Sequence, residues 1–264
     1  NLRQHKTYRT RRGHVDRTRP VRSLIGERRK PAPDGRPGYL RIDSVHQGDL
    51  EGVKGVYLIN AVDEVTQFQV VCAVERINEH FLLPILEQLI AAFPFTIRGF
   101  HSDNGSEYIN HRVAKLLEKL RIEQTKSRAR HTNDNALVES KNGSTVRKHL
   151  GYSHILGRFA TVVNRFTSGP LTEYLNYHRP CHFPTESIDA KGKRRKHYRY
   201  QDLMTPYDKL KSLPQAEQYL KPGITFPTLD AIATQCSDNE AARRLNQARA
   251  ELFQLINTSQ THVA

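Results

Sequence analysis

The sequence has 264 residues, enough for one large or two modest domains with a buried core, although its hydrophobic share of 37% is low for a compact protein. It contains no run of about 18 apolar residues, and no apolar stretch follows the basic N-terminus, which argues against a membrane span and a secretory signal. The net charge of +14 is concentrated at the two ends of the chain. Residues 1–37 carry 12 Lys/Arg and 3 acids, residues 38–190 carry 17 of each, and residues 191–264 carry 12 and 7. Basic flanks on a neutral body favour a polyanionic partner, most simply nucleic acid, over charges that only keep the chain in solution.

Residues 1–38 show little apolar periodicity and close with Pro31, Pro33 and Pro37. This pattern predicts a basic arm or linker that becomes ordered only against a partner. Because the sequence starts at Asn1 and not at Met, we expect further sequence upstream.

A mixed α/β domain is predicted for residues 39–156. The segments YLRIDSV, VYLINAVDEV and FQVVCAVE have the pattern of strands, and HFLLPILEQLIAAF then changes to helical spacing. TIRGFHSD predicts a strand, NHRVAKLLEKLR a helix and IEQTKS a last strand. The final helix begins after the capping residues Thr132, Asn133 and Asp134. The predicted order is therefore β-β-β-α-β-α-β-α.

The C-terminal part divides into a helical extension over residues 157–190 and a basic connector with a small helical region over residues 191–264. Six Lys/Arg and no acid occur between 191 and 201, which indicates an extended cationic connector. An apolar stripe at helical spacing follows, and it favours a helix packed on its own core over a dimer helix. Its members are Ala242, Leu245, Ala248, Leu252 and Leu255.

The three cysteines Cys72, Cys181 and Cys236 are widely spaced and form no CxxC pair, which indicates a reducing compartment. The one local Cys/His cluster, HRPCH at residues 178–182, lacks the second cysteine pair of a structural zinc site. We therefore do not expect a metal ion in that cluster.

Three acids occupy positions where an α/β domain gathers functional groups, at the ends of strands and the starts of helices. Asp43 lies within the first strand, Asp103 ends the fourth and Glu139 follows the caps of the last helix. A backbone amide or the helix dipole could explain each acid alone, but three carboxylates brought together repel unless a cation lies between them. Their oxygens suit Mg²⁺ or Mn²⁺, and two such ions can clamp the attacking and leaving oxygens of a phosphodiester. Among other acids, Asp63 is expected at a hairpin edge, and Glu107 is expected to cap or orient.

The positions and spacing of these acids resemble those of a known family. Asp103 and Glu139 are separated by 35 residues. An Asp on the first strand, an Asp on the fourth and a helical Glu after that gap resemble the DDE transposases and retroviral integrase cores. HSDNGSEYIN and DNALVESKNG are similar to bacterial insertion-sequence transposases of the integrase-core type. The resemblance covers roughly residues 38–155, with weaker support to about 185. It implies a ribonuclease H-like mixed five-stranded sheet flanked by helices.

The resemblance also implies a function. Asp43, Asp103 and Glu139 would bind two Mg²⁺ (or Mn²⁺), and the enzyme would cleave transposon DNA ends and transfer the 3′-hydroxyl into target DNA. It further implies a homo-oligomer on DNA, no membrane partner and a bacterial cytoplasmic location at the nucleoid. The chain departs from many relatives in having Ser140 where they carry a bulky aromatic residue. A ribonuclease H-like nuclease without joining activity and a domesticated, non-enzymatic DNA-binding protein remain alternatives.

Candidate DNA contacts surround the acids. Helical geometry places Asn142 and Gly143 on the face of Glu139, with Arg147 bordering it and Lys141 on the opposite, solvated side. Two explanations remain open for Gly143: a bare spot that admits the DNA backbone, or close packing of helices. The full set of predicted DNA-binding residues is Asn104, Arg128, Arg130, Asn142, Arg147, Lys193, Arg194, Arg195 and Lys196.

Overall fold

The structure is a computed structural model in which residues 25–103, 105, 107–128, 131–189 and 192–261 are described. Most of the predicted arm, together with Asn104 and Arg130, lies outside the described residues. None of the helices in the described ranges combines the length and the apolar character that crossing a bilayer requires.

A six-stranded mixed sheet forms the centre of the fold. The described strands are β1 (Glu27–Arg28), β2 (Tyr39–His46), β3 (Asp49–Leu50), β4 (Val53–Lys54), β5 (Tyr57–Asp63), β6 (Gln69–Val74), β7 (Gly99–Ser102), β8 (Glu123–Lys126), β9 (Cys181–His182), β10 (Thr185–Ile188), β11 (Arg194–His197) and β12 (Leu203–Met204). The order in the sheet is β1-β8-β7-β2-β5-β6. β2, β5 and β6 are antiparallel, whereas β2, β7, β8 and β1 run parallel. β5 and β6 are buried almost throughout, which explains why their sequences are continuously apolar.

The helices flank this sheet. They are α1 (Glu79–Ala92), α2 (His111–Lys119), α3 (Ala136–Lys141), α4 (Lys148–Leu150), α5 (Ala160–Phe166), α6 (Pro206–Lys211), α7 (Phe226–Ala233) and α8 (Asp238–Thr261). Asn78 caps α1 by accepting from the Phe81 amide, and Asn110 caps α2 in the same way. A π-helical turn, Asn142–Arg147, joins α3 to α4.

Two apolar cores lie on the two faces of the sheet, because successive strand residues point to opposite sides. Ile59 on β5 belongs to the core beneath α1 and α2, together with Leu86 and Phe100. Its neighbour Leu58 belongs to the other core, which α5 and α8 complete. The predicted element order and the ribonuclease H-like mixed α/β fold are confirmed.

Two local expectations need correction here. Residues 27–28, predicted as part of an arm ordered only by a partner, form a sixth strand, β1, parallel to β8. The free backbone groups along the edge of β8 provide the physical reason. The cationic connector is not simply extended, because residues 194–197 form β11 in an antiparallel hairpin with β10.

The C-terminal stripe packs on the chain's own core, as predicted, through Leu245 and Leu252 on α8. Leu255, however, is exposed, and Ile256 is buried in its place. Eleven residues bring Ile256 to within roughly 20° of Leu245 on the helix, whereas ten leave Leu255 about 80° away.

Candidate active site

The pairing of β2 with β7 brings the first two acids side by side. Ile42 on β2 lies opposite Ser102 on β7, and the two strands run parallel. Asp43 and Asp103 are each the next residue along. Both carboxylates therefore emerge at the same edge of the sheet, Asp43 half-buried and Asp103 exposed.

Two asparagines attach the third acid's helix to the same strand. The Asn135 side chain, just before α3, donates to the Ile42 carbonyl at 3.1 Å. Asn142, just after α3, donates from Nδ2 to Asp43 Oδ2 at 2.6 Å. Glu139 lies between these two anchors and is exposed. The helix is thus held across β2 with its acid next to Asp43.

The charges of Asp103 and Glu139 act on Asp43. Burial is the main cause that raises the pKa of Asp43 above its ordinary value, and the negative charges of Asp103 and Glu139 raise it further. Hydrogen bonds from the Ser44 amide and the Asn142 side chain oppose this rise. The structure therefore places both Asp103 and Glu139 within electrostatic reach of Asp43.

The donor set fits a divalent cation. Asp103 Oδ1 accepts from the Gly105 amide at 2.9 Å, and Asp43 accepts from one amide and one side chain. Within the described ranges, no Lys, Arg or His forms an ion pair with any of the three acids. Hard carboxylate oxygens with uncompensated charge are what Mg²⁺ and Mn²⁺ prefer.

A buried chain of polar side chains supports Asp43 from behind. Asn60, opposite Asp43 on β5, donates to Asn142 Oδ1 at 2.8 Å. Gln69 donates to Asn60 Oδ1 at 2.8 Å, and Thr145 donates to Gln69 Oε1 at 3.2 Å. These hydrogen bonds fix the Asn142 amide so that its NH₂ group faces Asp43. The sequence analysis missed Asn60 and Gln69, although polar residues inside the apolar segments LINAV and FQVVC were a usable signal.

Glu107 lies beside the acids as a neighbour. Its Oε1 accepts from the Ser44 hydroxyl at 3.2 Å, and its carbonyl accepts from the Asn110 side chain at 2.8 Å. The expectation that Glu107 caps or orients stays a prediction.

Two of the predicted DNA-binding arginines have partners inside the protein. Arg128 pairs with Asp134, with Nη2 to Oδ1 at 2.8 Å and Nε to Oδ2 at 3.0 Å. Arg147 donates to Gln47 Oε1 at 3.0 Å and lies over the Tyr152 ring. These contacts brace the loop before α3 and the end of the π turn.

Lys141, on the side of α3 opposite Glu139, does not lie in solvent as expected. This side chain is buried, and its Nζ lies 3.3 Å from Cys181 Sγ, so the prediction of a solvated charge is wrong. The segment around Cys181 covers that side of α3, which the helix alone could not reveal. A Cβ atom at Gly143 would meet no atom of the described residues within 4 Å, so close packing against another described helix does not explain this glycine.

The basic hairpin formed by β10 and β11 carries the remaining candidates. Lys193 and Lys196 are exposed, and Arg195 is exposed with its Nε 3.1 Å from Asp189 Oδ2. Arg194 pairs through the backbone with Ile188 on β10. The hairpin therefore gathers the cations of the predicted connector on one short element.

The sheet order and the acidic edge define a ribonuclease H-like α/β domain with a carboxylate centre. Residues 35–132 match the family described as "Integrase core domain", which confirms the resemblance predicted from the sequence. The matched segment contains Asp43 and Asp103 and ends before Glu139, so the third acid depends on the sequence motif and on the contacts of α3.

One curated relative is an uncharacterized protein, y4rM, of Sinorhizobium fredii (strain NBRC 101917 / NGR234). It is 34% identical over 148 residues, which cover 56% of this chain and 41% of the relative. The match therefore spans about two fifths of the relative's length.

Three solved structures of viral integrases are also similar. In the simian T-cell lymphotropic virus intasome with PP2A regulatory subunit B56 gamma, the likeness has a TM-score of 0.45 and 17% identity, covering 64% of this chain and 59% of the other. For the HTLV-2 integrase catalytic core domain in complex with magnesium, the TM-score is 0.41 and the sequence identity 15%, and the match covers 55% of this chain and 90% of the other. For the BIV integrase catalytic core domain, the TM-score is 0.40 and the sequence identity 17%, and the match covers 65% of this chain and 91% of the other.

Proposed function

We propose that this chain contains the catalytic core of a DDE transposase or integrase, a metal-dependent polynucleotidyl transferase. It would cleave the ends of a transposon and join the freed 3′-hydroxyl to target DNA. The match to the integrase core domain supports this class of function.

The observation that carries the proposal is the convergence of three carboxylates from separate segments. Asp43 and Asp103 each follow the register pair of Ile42 on β2 and Ser102 on β7, and the negative charge of Asp103 contributes to the raised pKa of Asp43. Glu139 is held beside them by the hydrogen bonds of Asn135 and Asn142. A purely structural role for the acids would not require three uncompensated charges at one edge of the sheet.

Asp43, Asp103 and Glu139 would hold two Mg²⁺ (or Mn²⁺), which would supply Lewis acidity for phosphodiester cleavage and joining. The chain's own contribution is positional. The strands fix Asp43 and Asp103, the anchored helix fixes Glu139, and Asn142 orients the Asp43 carboxylate. The open surface at Gly143 leaves room for a DNA backbone beside Glu139.

DNA is the proposed partner, as transposon ends and as target. The basic hairpin with Lys193, Arg194, Arg195 and Lys196 would bind phosphates, with Asn104 and Arg130 as further candidates outside the described residues. Assembly of several copies on DNA and a bacterial cytoplasmic location at the nucleoid belong to the same proposal.

A strand-transfer assay tests the function. Labelled duplexes carrying the DNA that flanks the gene on either side are incubated with the protein, a target plasmid and Mg²⁺ or Mn²⁺. We expect cleaved ends and covalently joined plasmid products that disappear when EDTA is added. Cleavage without joining would favour the nuclease alternative, and binding with neither reaction would favour the non-enzymatic DNA-binding protein.

A further inference from the structure

A second cluster of metal-ligating side chains lies outside the acidic edge. It consists of Glu173, His178 and Cys236, and one ligand atom from each lies within 4.8 Å of the others. Glu173 immediately precedes the π-helical turn Tyr174–His178, and Cys236 lies in the turn before α8. Among the described residues, this is the set of three His, Cys, Asp or Glu side chains that meets this distance.

His178 is the central member. It is only 3% exposed, and its Nδ1 lies 3.0 Å from Asp238 Oδ1. Its Nε2 is buried and has no hydrogen-bond partner among the described residues. A buried ring nitrogen without a partner is unfavourable, so an unfilled position beside it points to a ligand. Since the Asp238 carboxylate can only accept, it holds a proton on Nδ1 and leaves the lone pair on Nε2.

A histidine that donates from one ring nitrogen to a carboxylate while the other ring nitrogen carries a free lone pair is arranged as metal-binding histidines are. In this chain the Asp238 carboxylate would fix the tautomer and the ring orientation. The half-buried Glu173 and Cys236 would complete three protein ligands.

We propose that Glu173, His178 and Cys236 bind Zn²⁺, a site separate from the carboxylate centre and independent of the proposed function. A thiolate and an imidazole with one carboxylate suit Zn²⁺ and do not suit Mg²⁺, which prefers oxygen ligands. Tetrahedral Zn²⁺ places its ligand atoms about 3.5 Å apart, so atoms that lie within 4.8 Å of one another need to approach by no more than roughly 1.3 Å on binding. Rotation of the half-buried Glu173 and Cys236 side chains provides that movement, and water fills the fourth position.

The consequence would be a cross-link between distant parts of the chain. Residues 173 and 236 lie far apart in the sequence, and α8 starts two residues after Cys236. Zn²⁺ would therefore fasten the start of α8 to the π-helical turn, next to the contacts of Leu245 with the core. Metal bound only by the folded state stabilises that state.

The local cluster HRPCH at residues 178–182 does not provide the site. Cys181 Sγ lies 3.3 Å from Lys141 Nζ, and the His182 ring packs edge-on against the Tyr198 ring, with 6.3 Å between the ring centroids. His178 is instead combined with a cysteine 58 residues further along the chain. Only the fold brings this pair together.

Co²⁺ serves as the spectroscopic probe. The full chain, freed of metal with a chelator, is titrated with Co²⁺ in excess Mg²⁺, which competes for sites made of oxygen ligands alone. We expect one Co²⁺ per chain with a thiolate-to-cobalt charge-transfer band, lost on addition of Zn²⁺. Cys236→Ser is expected to lose the band, and Cys181→Ser, the matched control, to keep it. A wild-type chain without the band, or a Cys236→Ser chain that keeps it, overturns the proposal.

Two further measurements cover the other ligands and the fold. Glu173→Gln is expected to weaken Co²⁺ binding at least about tenfold, and unchanged affinity would overturn the three-ligand site. Zn²⁺ is expected to raise the Tm of the wild type by at least about 5 °C, with no rise in Cys236→Ser. If that variant fails to fold, thiol alkylation of the wild type gives the answer: Zn²⁺ should slow modification of Cys236 at least tenfold, and an unchanged rate overturns the proposal.

Discussion

Asp63 and Asp103 both lie where a strand of the central sheet runs into a turn, yet their carboxylates have opposite surroundings. Asp63 is 0% exposed and accepts five hydrogen bonds, from the amides of Gly38, Tyr39, Val65 and Thr66 and from the Thr66 hydroxyl. Asp103 is exposed and accepts from the Gly105 amide.

The difference separates a structural acid from a functional one. The chain saturates the lone pairs of Asp63, which leaves no room for an external ligand. At Asp103 no second donor to the carboxylate occurs among the described residues, and Asp43 adds negative charge nearby. The residue type and its position before a turn are shared, so the number of internal donors distinguishes the two roles.

Asp103→Asn is expected to give the largest effect. Replacing a metal-binding oxygen by an amide should lower metal-dependent cleavage and joining by at least about 1,000-fold, because the site loses both a charge and a ligand. DNA binding should persist, since the fold does not depend on this side chain. The strand-transfer assay and a gel-shift measurement report the two properties separately.

Asp49→Asn is the matched control, because Asp49 is also exposed and accepts from a turn amide, that of Gly52. Its activity should stay within about twofold of the wild type. Unchanged joining by the Asp103→Asn protein would contradict the assignment of the carboxylate centre.

Asp63→Ala should act on stability instead. Removal of the carboxylate leaves several buried donors without an acceptor, which we expect to lower the free energy of unfolding by about 3 kcal/mol. Asp103→Ala should change it by less than about 0.5 kcal/mol. Urea unfolding followed by circular dichroism compares the two, and a larger loss in Asp103→Ala would reverse the comparison.

The pH dependence of stability tests Asp63 in a second way. Burial raises the pKa of Asp63 from 3.8 to about 6, against the lowering effect of its hydrogen bonds. The folded state then binds this proton more tightly than the unfolded state does. The stability that Asp63 contributes is therefore present at low pH and is lost as pH rises from about 4 to about 6. Between these limits the loss is about 2 kcal/mol.

Comparison of the wild type with Asp63→Asn isolates the contribution of Asp63 to the pH dependence of the free energy of unfolding. Burial lowers the pKa of His101 to about 3 and that of His149 to about 4, which gives the whole protein an opposite slope. The difference between wild type and variant removes both histidines. We expect Asp63→Asn to be more destabilising at pH 4 than at pH 7 in urea unfolding, and the reverse would show that the hydrogen bonds outweigh burial.

Asn142→Ala tests whether the hydrogen bond from Asn142 orients the Asp43 carboxylate for metal binding. Without the 2.6 Å hydrogen bond from Asn142, the Asp43 carboxylate loses its orientation, and we expect about a tenfold fall in kcat with a higher Mg²⁺ requirement. Ser144→Ala, an exposed change in the same π turn, is the control and should leave both values unchanged. Equal effects of the two variants would indicate a general disturbance of the turn.

The sequence predicted the features that depend on local pattern. Apolar periodicity predicted the element order, an acid within the first strand predicted Asp43, and the end of the fourth strand predicted Asp103. Features that depend on distant segments were missed. Burial of Lys141 requires the segment around Cys181, and orientation of Asp43 requires Asn60 from another strand. The pairing of His178 with Cys236 likewise arises only when α8 docks on the core.

The basic side chains can be compared in the same way, as those paired within the protein and those that are not. We expect the smallest change in function from replacing the unpaired ones. Arg128 is paired with Asp134, whereas no ion pair involves Lys193 or Lys196 within the described ranges. Replacing both lysines by Gln should weaken DNA binding about tenfold and reduce the slope of log affinity against log salt by about 2, if each contacts a phosphate. Lys115→Gln/Lys119→Gln removes the same charge from exposed positions on α2 and should leave the slope unchanged. A lysine that contacts a DNA phosphate releases counterions on binding, so its removal should lower the salt slope. Equal slopes for the two double variants would show that Lys193 and Lys196 do not contact the DNA.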